Sequence, residues 1–156
     1  MTAAPERGFG LVELLVALAI SATGLLAEAL LLRQGLAAEG AALRREQATA
    51  LAAALAERIR QNSAAGAAYA LPAGAVPPSR PACAATASCT PAELAAVDLA
   101  DWLEGISAAL PAAAASVEYT PAVAGDQLDL RLSWAEPGET VPAALGLTVL
   151  ASTVPR

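Results

Sequence analysis

Apolar residues run almost without a break from Phe9 to Leu32, where Glu13 and Glu28 are the two charged interruptions. A helix over this run would be apolar on every side and long enough to cross a bilayer. A secretory signal peptide usually has a shorter apolar core that ends at a cleavage site of small residues. This run has neither feature, so it predicts a helix that stays in the membrane as an anchor.

The pattern becomes amphipathic between Arg33 and Asn62, a stretch that contains no proline. Its larger apolar residues recur every four, seven or eight positions, which places them on one stripe of a helix. We therefore expect one helix from about Leu11 to about Asn62, with a globular body that covers the stripe on its second half. The stripe consists of Leu36, Leu43, Leu51, Leu55 and Ile59.

Residues 63–82 are rich in Ala, Gly and Pro and show no period, which predicts a loop. A second helix is predicted to follow Thr90, because Thr90 is a good N-cap, Pro91 suits the first helical position and Glu93 completes a capping box. This helix should end at about Leu110. Its expected buried stripe is Leu99, Trp102, Leu103, Ile106 and Leu110.

Alternating residues in the last third of the chain predict β-strands. From Leu128 to Trp134, large apolar residues alternate with polar ones, which is typical of a half-buried strand. Shorter alternations occur at residues 116–120 and 145–151. Short connections with turn residues join the three segments and favour an antiparallel meander. The predicted fold class is therefore α+β: a long N-terminal helix packed on a small antiparallel sheet, with a second short helix.

Composition narrows the function classes. The chain has 156 residues, a net charge of −6, 3% aromatic residues and no histidine. The lack of histidine removes the commonest general base and the commonest zinc ligand. Asp98, Asp101 and Glu104 follow one flank of the second helix, where we interpret them as solvated side chains rather than a cation site. We expect no catalytic residue, no cofactor, no metal site and no enzymatic activity.

The basic residues are all arginines, scattered along an acidic chain. A nucleic-acid-binding patch would have to be assembled in space from those on the second half of the long helix. We interpret them instead as the solvated face of that helix and expect no nucleic-acid partner. These residues are Arg44, Arg45, Arg58 and Arg60.

The two cysteines, Cys83 and Cys89, are separated by five residues. This spacing differs from that of a redox CxxC motif, and two thiols alone do not make a zinc site. Two readings remain: a local disulfide in an oxidising compartment, or two free thiols in a reducing one. Export of this part of the chain would favour the disulfide.

The start of the apolar run carries a specific combination of residues. Gly8 is followed by Phe9, Glu13 is the fifth residue after the glycine, and the apolar helix begins at once, in the order GFGLVELLVALAI. This combination resembles the prepilin signature of type IV pilins and of type II secretion pseudopilins. The resemblance implies that a prepilin peptidase cleaves between Gly8 and Phe9 and methylates the new amino group of Phe9. It also implies that Glu13 neutralises the N-terminal amine of a neighbouring subunit during assembly.

The resemblance also implies how the chain is organised and where it acts. Residues 1–8 would be the prepilin leader, and residues 9–32 the transmembrane and filament-core part of the long helix. Residues 33–62 would be its amphipathic part, and residues 63–156 a globular head in the periplasm. The protein would cross the inner membrane once, contacting the lipid bilayer, and would also occur in the assembled pilus on the cell surface.

Two inner segments are similar to the PilV minor pilins, the type IV pilus modification protein family. They are QATALAAALAERIRQN, residues 47–62, and CTPAELAAVDLADW, residues 89–102. This resemblance implies a minor pilin that primes pilus assembly together with other minor pilins. The implied partners are other minor and major pilins, the prepilin peptidase and the inner-membrane assembly platform.

Other functions share parts of this pattern. A type II secretion minor pseudopilin uses the same N-terminal physics and is the nearest alternative, whereas a DNA-uptake pilin would need the basic patch discussed above. A membrane-anchored enzyme has no support from any catalytic motif. Glu28 lies either at the outer membrane interface or against another subunit.

Overall fold

The chain divides into two compact units, Met1–Gly40 and Ala41–Arg156. Helix α1 (Leu11–Gln61) begins in the first unit and ends in the second, within one residue of the predicted bounds. The parts of the chain that the computed structural model describes are residues 10–85, 88–122 and 125–151.

Helix α2 (Pro91–Ala109) starts as the sequence predicted. The Thr90 side chain accepts a hydrogen bond from the backbone N–H of Glu93, and the Glu93 carboxylate accepts one from the backbone N–H of Thr90. This reciprocal pair satisfies N–H groups that lack partners at the start of a helix. Pro91 occupies the first turn, where a missing N–H costs nothing.

The sheet is an antiparallel meander of three strands in the order β1-β2-β3. Its strands are β1 (Ala114–Thr120), β2 (Asp126–Trp134) and β3 (Ala143–Ala151). In β2 the residues at alternate positions are buried, so that one face of the strand meets the core while the other carries the polar residues. The predicted α+β class is therefore observed.

The core of the second unit joins the sheet to both helices. Ile59 of α1, Ile106 of α2 and Leu128 of β2 belong to one cluster of buried residues. Helix α2 approaches α1 closely at Gly105, where a Cβ atom would lie 3.1 Å from Leu51 Cδ2. Burial of each large aliphatic side chain contributes about 1.5–3 kcal/mol, so this cluster dominates the stability of the unit.

Two expectations about the elements of the fold were wrong. Leu36 and Leu43 of the predicted stripe are 70% and 54% exposed in the chain. The stripe is buried only farther along α1, as at Leu55. Residues 63–82 are also not a plain loop, because they contain a 3-10 helix, Ser63–Tyr69, and a bridge between Leu71 and Val117. Burial of the Tyr69 ring anchors the end of this short helix.

Candidate assembly site

The described part of the first unit presents a helix surface that is apolar on every side. Its large apolar side chains, from Leu11 to Leu32, are between 52% and 76% exposed. By length and composition α1 could cross a membrane, with a mean hydropathy of 2.2 over its most apolar window. Such a surface is unstable in water and requires lipid or other apolar helices.

Glu13 lies in the first turn of α1 and is exposed. Among the residues that the structure describes, its carboxylate makes no hydrogen bond or ion pair. Its carboxylate is favourably placed near the positive end of the helix dipole. Gly8 and Phe9, the predicted cleavage and methylation site, lie outside the described residues, so this site and the role of Glu13 stay predictions.

Cys83 and Cys89 form a disulfide in the second unit, with 5.0 Å between their Cα atoms. The bond links a short 3-10 helix, Ala82–Ala85, to the residue that precedes the N-cap of α2. The sequence left two alternatives for the cysteine pair, a disulfide or two free thiols, and the structure contains the disulfide. This disulfide closes a short loop beside the start of α2.

The interpretation of Asp98 as a solvated side chain was wrong, because the residue is buried. Tyr69 Oη donates a hydrogen bond of 2.6 Å to Asp98 Oδ2, and Arg58 Nη1 lies 3.3 Å from Oδ1. Burial, followed by the hydrogen bond to Asp98, raises the pKa of the Tyr69 hydroxyl, which therefore stays protonated as a donor. Asn62 completes the group by donating to Tyr69 Oη at 3.2 Å.

Asp101 and Glu104 remain partly or fully exposed, and Arg80 binds both of them. Arg80 Nη2 lies 2.6 Å from Asp101 Oδ1 and 2.7 Å from Glu104 Oε2. The hydrogen bond to Glu104, followed by the charge of Asp101, raises the pKa of Arg80. Asp101 and Glu104 on the flank of α2 are therefore neutralised by ion pairs with Arg80. Within the described ranges, no group of three or more potential metal ligands is arranged around one point.

Arg44 was predicted to lie on the solvated face of the long helix, but its side chain binds the buried Glu136. Its Nε donates to Glu136 Oε2 at 2.8 Å, and its Nη2 also contacts that oxygen. The indole N–H of Trp134 donates to Glu136 Oε1 at 2.9 Å. The hydrogen bond from Arg44, then that from Trp134, lowers the pKa of the buried Glu136 carboxyl. This group ties α1 to the connection after β2.

Sequence reasoning missed both buried carboxylates. A signal existed for Asp98, since it lies three residues after Ala95 and four before Trp102, on the face of α2 that is buried. Glu136 gave no comparable signal, because its partner Arg44 is 92 residues away in the chain. Asp98 and Glu136, with their hydrogen-bond partners, belong to the structure of the second unit. The candidate assembly site is therefore the apolar helix with Glu13.

Two family profiles match different parts of the chain. Residues 29–100 match the family described as Type IV pilin Tt1218. Residues 4–27 match the prokaryotic N-terminal methylation motif. No curated protein and no solved structure matches the chain significantly. The long apolar helix, the second helix and the small antiparallel sheet are consistent with a type IV pilin fold, and the two matches together support a type IV pilin.

Proposed function

We propose that this protein is a minor pilin of the type IV pilus, made as a prepilin and cleaved between Gly8 and Phe9. The observation that carries the proposal is the exposed apolar part of α1, most of which lies within the methylation-motif match at residues 4–27. A prepilin peptidase would remove residues 1–8 and methylate Phe9. The freed helix would then move from the lipid bilayer into a bundle of similar helices.

Glu13 would act in this transfer by pairing with a positive charge. A carboxylate that enters an apolar fibre core unpaired is costly, whereas an ammonium partner offsets much of that cost. The new amino group of Phe9 on a neighbouring subunit would supply the ammonium. The pairing would favour the incorporation of cleaved subunits over that of subunits that keep the leader, because only cleavage creates the amine at Phe9.

The assignment to the minor pilins rests on the resemblance of residues 47–62 and 89–102 to the PilV family. In this role the chain would assemble with other minor and major pilins on the inner-membrane platform and prime filament growth. The Cys83–Cys89 disulfide supports a periplasmic head, because disulfides persist in oxidising compartments. We therefore propose a single-pass inner-membrane protein that also occurs in the surface pilus.

A filament fraction from the native host tests this function. We expect sheared surface filaments to contain the cleaved chain, and deletion of the gene to reduce the number of filaments. Normal piliation of the deletion strain, together with loss of a secreted substrate, would instead support the pseudopilin alternative.

The role of Glu13 is tested by Glu13→Gln, which keeps the shape of the side chain and removes its charge. We expect normal leader cleavage and a loss of this chain from the filament fraction. Glu39→Gln is the matched control, because Glu39 lies in the same unit and is also exposed. Normal incorporation of Glu13→Gln would disprove the charge-pairing role.

A further inference from the structure

The two edges of the sheet differ. The outer edge of β1 is covered at its middle by Leu71, which exchanges backbone hydrogen bonds of 2.9 and 2.8 Å with Val117. β3 pairs with β2 on one side, and on its other side no strand or bridge is found among the residues that the structure describes. Every second residue of β3 therefore directs its backbone N–H and C=O away from the sheet.

β3 lacks the features that usually protect such an edge. Natural edge strands are often short, or they carry a lysine, another charge or a proline. β3 is nine residues long, and its sequence, AALGLTVLA, contains no charged residue and no proline. Leu150, near its end, is 66% exposed. An edge of this length and composition favours the addition of a further strand.

Gly146 interrupts β3 without a reason inside the described chain. A glycine weakens the interior of a strand, because it loses more conformational freedom on folding and has no side chain to pack. The backbone of Gly146 does not have a positive φ. Apart from its chain neighbours, the nearest atom to a Cβ placed there would be Leu130 O, at 4.0 Å. A glycine in a strand often marks the close approach of another chain, and the space above Gly146 is open to one.

Arg131 lies directly beside this space. In the register of the sheet it is opposite Gly146 on β3 and opposite Ser116 on β1, so the three residues share the outer face. They help to line an open hollow of about 630 Å³, in which Arg131 is the basic residue of the lining. Arg131 is exposed, and its small neighbours leave room for a group that approaches from the edge of β3.

The Arg131 guanidinium has no partner within the described ranges, where it makes no ion pair and no hydrogen bond. Asp129 lies two residues away on the same face, but neutral donors occupy it: Gln127 Nε2 donates to Oδ2 and Thr148 Oγ1 donates to Oδ1. Glu118, opposite Asp129 on β1, is exposed and forms no ion pair with Arg131. Arg131 is thus suited to a carboxylate from outside, which matches the fork of a guanidinium.

We propose that β3 receives an extended strand of another pilin subunit, and that an acidic side chain of this strand passes over Gly146 and binds Arg131. The free backbone groups of β3 identify the occupant as a strand, and Arg131 identifies its charge. Two strand spacings, about 9.6 Å, separate Arg131 from the partner residue beside Gly146. An arginine and a glutamate bridge this distance together when no side chain lies between them. This inference rests on the proposed function, which supplies other pilins as neighbours.

A second copy of this chain does not meet these requirements through its own β3. That strand contains no charged residue, so a contact between two β3 strands would leave Arg131 of both copies unpaired. The partner strand instead alternates in character. Its apolar residues lie on the side of Leu145 and Leu147, which are half-buried and pack against the core, and its acid lies on the side of Gly146.

Two synthetic peptides test the partner chemistry on the full chain in detergent. Each has nine residues, the length of β3, in which threonine alternates with valine. The central threonine is replaced by glutamate in one peptide and by glutamine in the matched control. Fluorescence anisotropy should show that the glutamate peptide binds about fivefold more tightly, the upper range for an exposed ion pair. Equal affinities would overturn the role of Arg131.

Hydrogen exchange locates the bound peptide. Exchange should slow at alternate amides of β3 and stay unchanged in β1, whose edge Leu71 already covers. Absence of slowing in β3 would overturn the inference. If a higher concentration of the chain alone slowed β3 as much as the peptide does, the occupant would be a second copy and the proposal would be wrong.

Variants connect the peptide preference to named residues. Arg131→Gln should remove the preference for glutamate, and Gly146→Val should reduce it by blocking the path to Arg131. Arg45→Gln is the matched control, because it removes an exposed arginine elsewhere in the second unit and should keep the preference. Tryptophan fluorescence verifies that each variant is folded. A preference that survives in Arg131→Gln would contradict the proposed ion pair.

The outcomes separate this inference from the proposed function. If the wild-type chain is cleaved and incorporated into filaments but neither peptide slows exchange in β3, only this inference fails. If the wild-type chain is never incorporated, the proposed function fails, whatever the peptides show. Incorporation together with glutamate-dependent binding at β3 supports both.

Discussion

The two units of this chain differ in where their side chains find partners. In the described part of the first unit, large apolar side chains are exposed around the whole helix, and the acids and the arginine make no ion pairs. In the second unit, the apolar side chains form one core, and its two buried carboxylates, Asp98 and Glu136, each bind an arginine.

This difference separates folding from assembly. The second unit has a core and satisfied polar groups of its own, which are the usual sources of stability in a folded domain. The described part of the first unit, residues 10–40, has neither, so its helix must be stabilised by lipid or by other helices. Mutations in the second unit should therefore change its free energy of unfolding, while mutations in the first unit should change membrane insertion and filament incorporation.

The largest effect is expected from Leu128→Ala, because Leu128 is fully buried in the core. We expect its free energy of unfolding to fall by about 2–5 kcal/mol, the usual cost of such a cavity. Tryptophan fluorescence during denaturation of the full chain in detergent measures this, since Trp102 and Trp134 are both buried in the second unit. Leu26→Ala, in the exposed apolar helix, is the control and should leave the transition unchanged. A similar loss in both variants would contradict the separation of the units.

The next effect concerns the disulfide. Replacing Cys83 and Cys89 together by serine should lower the free energy of unfolding by about 2 kcal/mol, because a short closed loop is released in the unfolded chain. The same fluorescence transition measures the loss, with the reduced wild-type protein as a second form that lacks the bond. A double variant as stable as the oxidised wild type would show that the disulfide does not stabilise this unit.

A smaller effect is expected at the buried Asp98. Tyr69→Phe removes the hydroxyl that donates to Asp98 and should lower the free energy of unfolding by about 1.5 kcal/mol, the contribution of a hydrogen bond to a charged group. Asp98→Asn in a double-mutant cycle with Tyr69→Phe should give a coupling energy that differs from zero. Additive losses would mean that the two side chains act independently.

The smallest effect should depend on pH. The pKa of Glu136 is lowered in the folded chain, so its charged form stabilises the fold above the ordinary value of 4.5. This contribution is lost as the pH falls through the folded pKa, which lies below 4.5. Glu136→Gln should therefore be less stable than the wild type near pH 7, and the difference should shrink on acidification. Arg60→Ala, which affects an exposed pair with Glu57, should show no such trend.

Local patterns predicted much of the fold. The capping box at Thr90, the apolar character of α1 and the alternation in β2 each depend on residues close in the chain, and the structure agrees at these places. Burial of a polar residue was not predicted where residues that are distant in the chain come into contact. Glu136 is buried because Arg44 and Trp134 converge on it, and only the tertiary fold brings Arg44 there.

The candidate site was predicted from a different kind of signal. Glu13 is conspicuous because a charge in an apolar run is rare and costly, but its predicted role came from the combination of Gly8, Phe9, Glu13 and the apolar run, which resembles the prepilin signature. Leu36 and Leu43 were misjudged for a related reason. Their spacing indicated a buried stripe, but periodicity does not specify whether the covering surface belongs to the same chain.

The mass of the N-terminal peptide tests the central claim most directly. The protein is recovered from membranes of its native host, in cells with an active prepilin peptidase, and the peptide is identified by mass spectrometry. Our account predicts a chain that begins at a methylated Phe9. A chain that begins at Met1 or Thr2 would contradict it, because the apolar helix would then be an ordinary signal anchor and Glu13 would have no N-terminal amine of Phe9 to neutralise.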